Sequence, residues 1–181
     1  MRLIRRDDLT AQPWKNGGGR TWEIAASPEG AGFDAFGWRV SMAEVAADGP
    51  FSAFAGIDRT LSVLSGAMLL DFAAGGTVAL DAAAPPLAFP GEAAVQARLV
   101  QGPVIDLNVM TRRGAFGHRV TALRTGEAAP QGTMLLIARA ESTLDSGLAL
   151  ARGTVLRADP QEDLAGLRGT GALLAVGLRA L

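Results

Sequence analysis

Glycine and proline interrupt this chain at intervals of about ten residues, and the stretches between them are rich in Val, Leu, Ile, Trp and Phe with no sustained 3.6-residue period. Helices need longer uninterrupted patterns, so this rhythm restricts the chain to a mostly β architecture, a sandwich or small barrel. Strands are expected at 22–27, 36–45, 59–64, 68–72, 77–80, 95–99, 104–110 and 116–123. Turns are marked by Ser65-Gly66, Gly75-Gly76, Pro85-Pro86, Pro90-Gly91 and Gly102-Pro103.

A change of composition at 125–132 (TGEAAPQG) reads as a connector between lobes. Beyond it, shorter strands at 133–138, 148–151, 154–157 and 172–178 repeat the rhythm, a pattern that suggests a weak internal duplication. The reading is therefore two lobes: residues 1–124, carrying the polar segments described below, and a shorter lobe, 125–181, completed by N-terminal strands.

Bulk chemistry narrows the function. A chain of 181 residues is long enough to bury a real core. Seventeen Lys and Arg against eighteen Asp and Glu give no electrostatic footprint for nucleic acid or an anionic membrane. With no cysteine, disulfides, thiolate metal sites and thiol nucleophiles are excluded, and a reducing, cytoplasmic setting fits. The start, MRLIRRDDL, is too charged for a secretory signal, and no apolar run reaches membrane-spanning length.

Against this apolar, alanine-rich background stand four polar islands: PWKNGGGRTWEI (13–24), WRVSMAEV (38–45), FSAFAGIDRT (51–60) and IDLNVMTRRG (105–114). Polar groups recurring within strands must find partners, which points to an internal polar site. In the first island, Trp14, Lys15 and Asn16 precede three glycines whose amides, with Lys15 and Arg20, suit an anion, although no Gly-Lys-Ser/Thr follows to make a P-loop. A plain surface turn is the alternative.

Alternation sends Trp38, Val40, Met42 and Glu44 to one face of their strand and Arg39, Ser41, Ala43 and Val45 to the other. Likewise Asp106, Asn108, Met110 and Arg112 share a face opposite Ile105, Leu107 and Val109. Either face lines a wet cavity or is simply exposed. Arg59 opens an apolar strand, where a guanidinium can grip a carboxylate bidentately or pair with Asp58 or Asp106 as scaffolding. His118 stands alone and is read as structural; one His builds no usual metal site. No G-x-S-x-G elbow or second His supports nucleophilic hydrolysis, while Glu44 with Asp106 would suit acid–base work if they met.

The segments PWKNGGGRTWEI, FGWRVSMAEVAADGPFSAFAGIDRTLSVLSG and QGPVIDLNVMTRRG resemble the HutD/Ves family, associated with histidine utilisation and stress responses. The resemblance covers about residues 3–116 and implies a double-cupin fold (bicupin, RmlC-like jelly roll), with LAFPGE at 87–92 as the cupin turn. Metal-dependent cupins use a His-x-His plus Glu and a later His, positions that the lone His118 of this chain cannot fill, so the resemblance implies a metal-free barrel without cofactor. It further implies binding of a small anionic metabolite, urocanate or formylglutamate in type, by an accessory or regulatory protein. Lys15 and Arg59 become the anion-binding pair, Asn16, Asp106 and Asn108 their polar neighbours, with Trp14, Ser41, Glu44 and Met110 as secondary candidates. Two alternatives remain open: a metal-independent isomerase or lyase acting on a small acid, and a homodimer formed through exposed sheet edges.

Overall fold

A computed structural model describes residues 1–159 and 162–181. Sixteen strands run along them: β1 (Arg2–Ile4), β2 (Ala11–Pro13), β3 (Gly19–Ser27), β4 (Trp38–Val45), β5 (Gly49–Pro50), β6 (Ile57–Phe72), β7 (Thr77–Asp81), β8 (Leu87–Pro90), β9 (Val95–Arg112), β10 (Phe116–Leu123), β11 (Thr133–Ala138), β12 (Ser142–Leu144), β13 (Ala149–Leu150), β14 (Val155–Arg157), β15 (Gly169–Thr170) and β16 (Leu173–Ala180). One 3-10 turn, Arg6–Asp8, is the only helical element among the described residues. No helix there is long and apolar enough to cross a membrane.

The chain divides into two compact β-barrel units, Thr10–Phe116 and Met1–Leu9 with Gly117–Leu181. The division differs from a boundary at 124/125, because β10 pairs into the second unit's sheet, ordered β1-β14-β11-β16-β10. The segment expected to be a connector is tied into that unit as well: Gly126 N–H donates to Gly169 O and Ala129 N–H to Leu167 O. Leucine and alanine fill this unit's core, with Leu136, Leu144, Leu150, Leu156, Leu164 and Leu173 among them.

In the first unit the sheet order is β2-β3-β4-β9-β6-β7, with β5 added on β9 and β8 on β6, and all these pairs are antiparallel. Two long strands organise it. β6 and β9 pair along nearly their whole lengths, where the sequence rhythm predicts four separate strands split by turns at Ser65-Gly66 and Gly102-Pro103. Gly66, at φ +82°, sits in a bulge, and a Cβ there would lie 2.5 Å from Gln101 O. Such punctuation bends a strand without ending it. The bend lets one half of each long strand pair with β4 and β8 and the other half with β5 and β7.

The register of that first half fixes which side chains meet. Directly opposed residues of antiparallel strands project from the same face. Rows therefore run across β4, β9 and β6: Arg39–Met110–Arg59, then Ser41–Asn108–Leu61, then Ala43–Asp106–Val63. Past the third row the interior is apolar, a cluster of Val45, Val63, Met68, Leu70, Val95 and Val104 among others. Val40, Met42, Leu107 and Val109, on the opposite face, are fully buried. Both faces of β4 and β9 are thus covered, which accounts for an alternation too weak to read as core against solvent.

Candidate functional site

The three rows open into a cavity of about 510 Å³ at the polar end of the first unit. Arg39, Ser41 and Ala43 from β4, Asp106, Asn108 and Met110 from β9, and Arg59 from β6 form its floor. The β2–β3 hairpin contributes Gln12, Pro13, Trp14, Lys15, Asn16 and Thr21, and Phe33, Pro50, Phe51, Ser52 and Phe54 complete the wall.

A chain of polar contacts crosses the floor. Arg59 Nε donates to Asn108 Oδ1 at 2.8 Å, and Asn108 Nδ2 donates to Asp106 Oδ1 at 2.5 Å. The guanidinium lies over two rings, 4.7 Å from the centroid of Phe51 and 5.4 Å from that of Phe89. Arg59 is 7% exposed and Asp106 1%. The Nη groups of Arg59 make no hydrogen bond with described residues, yet among those residues Ser62 Oγ is the one fully buried side-chain polar atom without a partner. Those N–H groups consequently open on the cavity.

Electrostatics follow from burial. Removal from water raises the Asp106 carboxyl to about 7, the Arg59 charge opposing the shift. Burial lowers Arg59 to about 10, opposed by Asp106, so the guanidinium stays charged at neutral pH. Near neutrality its nearest carboxylate is only partly ionised.

Of the residues singled out from sequence, Lys15, Asn16, Arg59, Asp106, Asn108, Trp14, Ser41 and Met110 all line the cavity. Glu44 does not. Three positions from Ser41 along a strand, it projects from the other face, and its two carboxylate oxygens take Nε and Nη2 of Arg20 at 3.1 Å each. That pair also removes Arg20 from the anion role expected for it; its guanidinium lies over Trp22, 5.2 Å from the centroid.

The glycine run is not an anion nest. Gly17 N–H donates to Trp14 O, Gly18 N–H to the Asn16 side chain, and Trp14 N–H to Gly19 O, so the segment is a closed hairpin turn. The turn still carries the exposed Lys15 to the cavity wall. Asp58 pairs with Arg113 at 2.8 Å and leaves Arg59 alone. His118 lies on β10, outside the lining.

Sequence reasoning passed over Arg39, Phe33, Phe51 and Phe54. Arg39 had a signal, since alternation already placed it beside Ser41. Its Nε donates to Glu23 Oε2 at 2.8 Å and its guanidinium covers Phe33 at 4.4 Å, while Phe33 stacks on Phe54 at 5.7 Å. No pattern in a loop foretells which phenylalanines line a cavity.

No cluster of three or more His, Asp or Glu suited to a metal exists among the described residues. The lining sets Lys15, Arg39 and Arg59 against the single carboxylate of Asp106. Three cations repel a divalent ion, so this donor set does not fit the metal-binding chemistry of other cupins.

A bent-strand barrel whose inner rows turn polar at one end, joined in one chain to a second barrel, defines a bicupin fold. The chain belongs to the HutD family, whose model, described as HutD, matches residues 6–175. It is similar in structure to HutD from Pseudomonas fluorescens SBW25, with TM-score 0.82 and 31% identity over 99% of this chain and 98% of that one. A conserved protein of unknown function from Pseudomonas aeruginosa PAO1 gives 0.81 and 34%, over 98% and 97%. Oxalate decarboxylase from Bacillus subtilis shares only the fold, with TM-score 0.58 and 7% identity over 99% of this chain and 79% of that one.

By sequence, the chain is 38% identical over 110 residues to an uncharacterized 21.2 kDa protein in the hutC 3′ region of Pseudomonas putida, covering 61% of this chain and 57% of that protein. It is 36% identical over 101 residues to protein Ves of Citrobacter koseri, covering 55% and 52%. The chain thus spans a little over half the length of these curated relatives.

Proposed function

We propose that this protein binds a small carboxylate metabolite in the first barrel and serves histidine utilisation in the cytoplasm as an accessory or regulatory protein. One observation carries the reading: a buried guanidinium, fixed through Nε by Asn108 and lying over two rings, lines a cavity with its remaining donors unbonded among the described residues. A cation so placed has lost its water, and an anion is the partner that restores the balance. Lys15 at the wall adds charge that attracts such a ligand. The hutC-region relative and the named HutD structure support the link to histidine utilisation, and urocanate and formylglutamate are the acids to try first.

Calorimetric titration with both acids tests this. Loss of a charge-assisted contact of about 1.5–3 kcal/mol should weaken binding about ten- to a hundredfold in Arg59→Ala. Lys15→Ala should cost less than tenfold, because an exposed ammonium keeps its hydration. No heat from either acid, or an Arg59→Ala variant that binds like the parent, would refute the reading.

A second reading, a metal-independent isomerase or lyase, draws on Asp106. A buried carboxyl raised to about 7 in a ligand cavity has the protonation behaviour of a general base. Conversion of either acid by the purified protein, abolished in Asp106→Asn, would establish it; an unchanged acid recovered after long incubation would dismiss it.

A further inference from the structure

The arginines of the first unit divide into two kinds by what their Nη groups do. Arg20 and Arg98 each bind a carboxylate through both Nε and Nη2, Arg112 holds Phe36 O and Asp34 O through the same two atoms, and Arg113 uses Nε, Nη1 and Nη2. These are scaffolding arginines with their forks filled. Arg39 and Arg59 differ. Each is bound through Nε alone, Arg39 to Glu23 and Arg59 to Asn108, and each has a phenyl ring over its guanidinium plane. Both are buried, at 4% and 7% exposure, and both line the cavity.

Neither has an Nη hydrogen bond among the described residues, neither has a fully buried Nη left unpartnered, and both side chains line the same cavity. Their positions are paired as well. Arg39 and Arg59 stand opposite Met110 from its two sides, in one row across three strands. Their backbones are consequently roughly 10 Å apart, two inter-strand spacings. Two such arginines, lining one cavity from either side of Met110, match a ligand with an acid group at each end.

We propose that Arg39 is a second carboxylate-binding residue and that the cavity takes a short dicarboxylate, gripped at one end by Arg59 and at the other by Arg39. This rests on the acid-binding reading above and narrows it, since a monocarboxylate satisfies only one fork.

Glutarate and glutaramate are the probes: equal in length, they differ by one carboxylate exchanged for an amide. In calorimetry glutarate should bind about ten- to a hundredfold more tightly than glutaramate. Arg39→Gln, which keeps a donor for Glu23, should bring glutarate down to the glutaramate level and leave glutaramate within about twofold, whereas Arg59→Gln should weaken both. Arg39→Lys should restore part of the preference for glutarate, and thermal unfolding of each variant confirms that it is folded. Equal affinities for the two probes overturn the inference, as does an Arg39→Gln variant that changes neither affinity or lowers both alike; if Arg59→Gln still weakens binding, the acid-binding reading survives that result. Failure of the parent protein to bind either probe overturns the dicarboxylate assignment, and the titrations with urocanate and formylglutamate then decide whether the broader reading falls with it.

Discussion

Asp106 and Arg59 share a buried site, and their protonation sets what that site attracts. Below about pH 7 Asp106 is mostly neutral and the charge of Arg59 stands uncompensated beside it; above that pH a carboxylate joins it. Affinity for an acid that stays ionised throughout should therefore fall as pH rises from about 6 to about 8, and a bound anion should draw a proton onto Asp106 near neutrality. Calorimetry in buffers of different ionisation enthalpy measures that uptake. Asp106→Asn should abolish it and flatten the pH profile; an unaltered profile would show that Asp106 does not sense the ligand. In the free protein the same raised value means that Asp106 favours the fold below its unfolded pKa, and that this contribution is lost as pH climbs from about 4 to about 7. At this scale the sequence was legible wherever alternation applied: Asp106, Asn108 and Met110 point together because they are two apart. Alternation likewise sets Glu44 on the face opposite Ser41, where its carboxylate meets Arg20 and not the cavity. Arg39 carries the right parity, but parity does not report burial, and the covering of both faces of β4 depends on distant segments.

At the scale of elements, the hairpin at Gly75-Gly76 and most strand positions follow from turn chemistry, as Phe72 N–H donating to Gly76 O illustrates. The same chemistry hid the two elements that matter most. Gly66 and the Gly102-Pro103 pair look like turns in a one-dimensional pattern, yet in β6 and β9 they stand opposite each other and bend a continuous ladder. Pairing over long sequence separation is what decides between a turn and a bulge, and local residues do not report it. Gly66→Ala tests the bend. A side chain in the left-handed region costs about 1–3 kcal/mol, and the Cβ would also press on Gln101 O. For a chain of this size each kcal/mol lowers the melting temperature by about 2–4 °C, so a variant melting with the parent would contradict the bulge. Gly19→Ala probes the lysine loop: its Cβ would clash with Glu44 O, so the β3–β4 pairing should loosen and acid affinity should drop along with stability.

For the whole molecule, two barrels of one fold have different interiors. The second unit's core cluster is leucine and alanine, whereas the first keeps polar rows at one end of an otherwise apolar barrel. Strand rhythm foretold the class of fold, but it could not show that β10 belongs with the later strands, because membership is set by pairing. If the polar end exists to hold an acid, saturating ligand must stabilise the folded chain. At a hundred times Kd the gain is about 2.7 kcal/mol, a rise of roughly 5–10 °C in melting temperature, absent in Arg59→Ala. The most direct measurement is a ¹H–¹⁵N titration that resolves the arginine Nε–H signals as formylglutamate or urocanate is added. The account predicts saturable shifts at Arg59, with Arg113, committed to Asp58 and Glu92, unmoved. Signals that stay fixed at Arg59 while others move, or no saturable change at all, would contradict it.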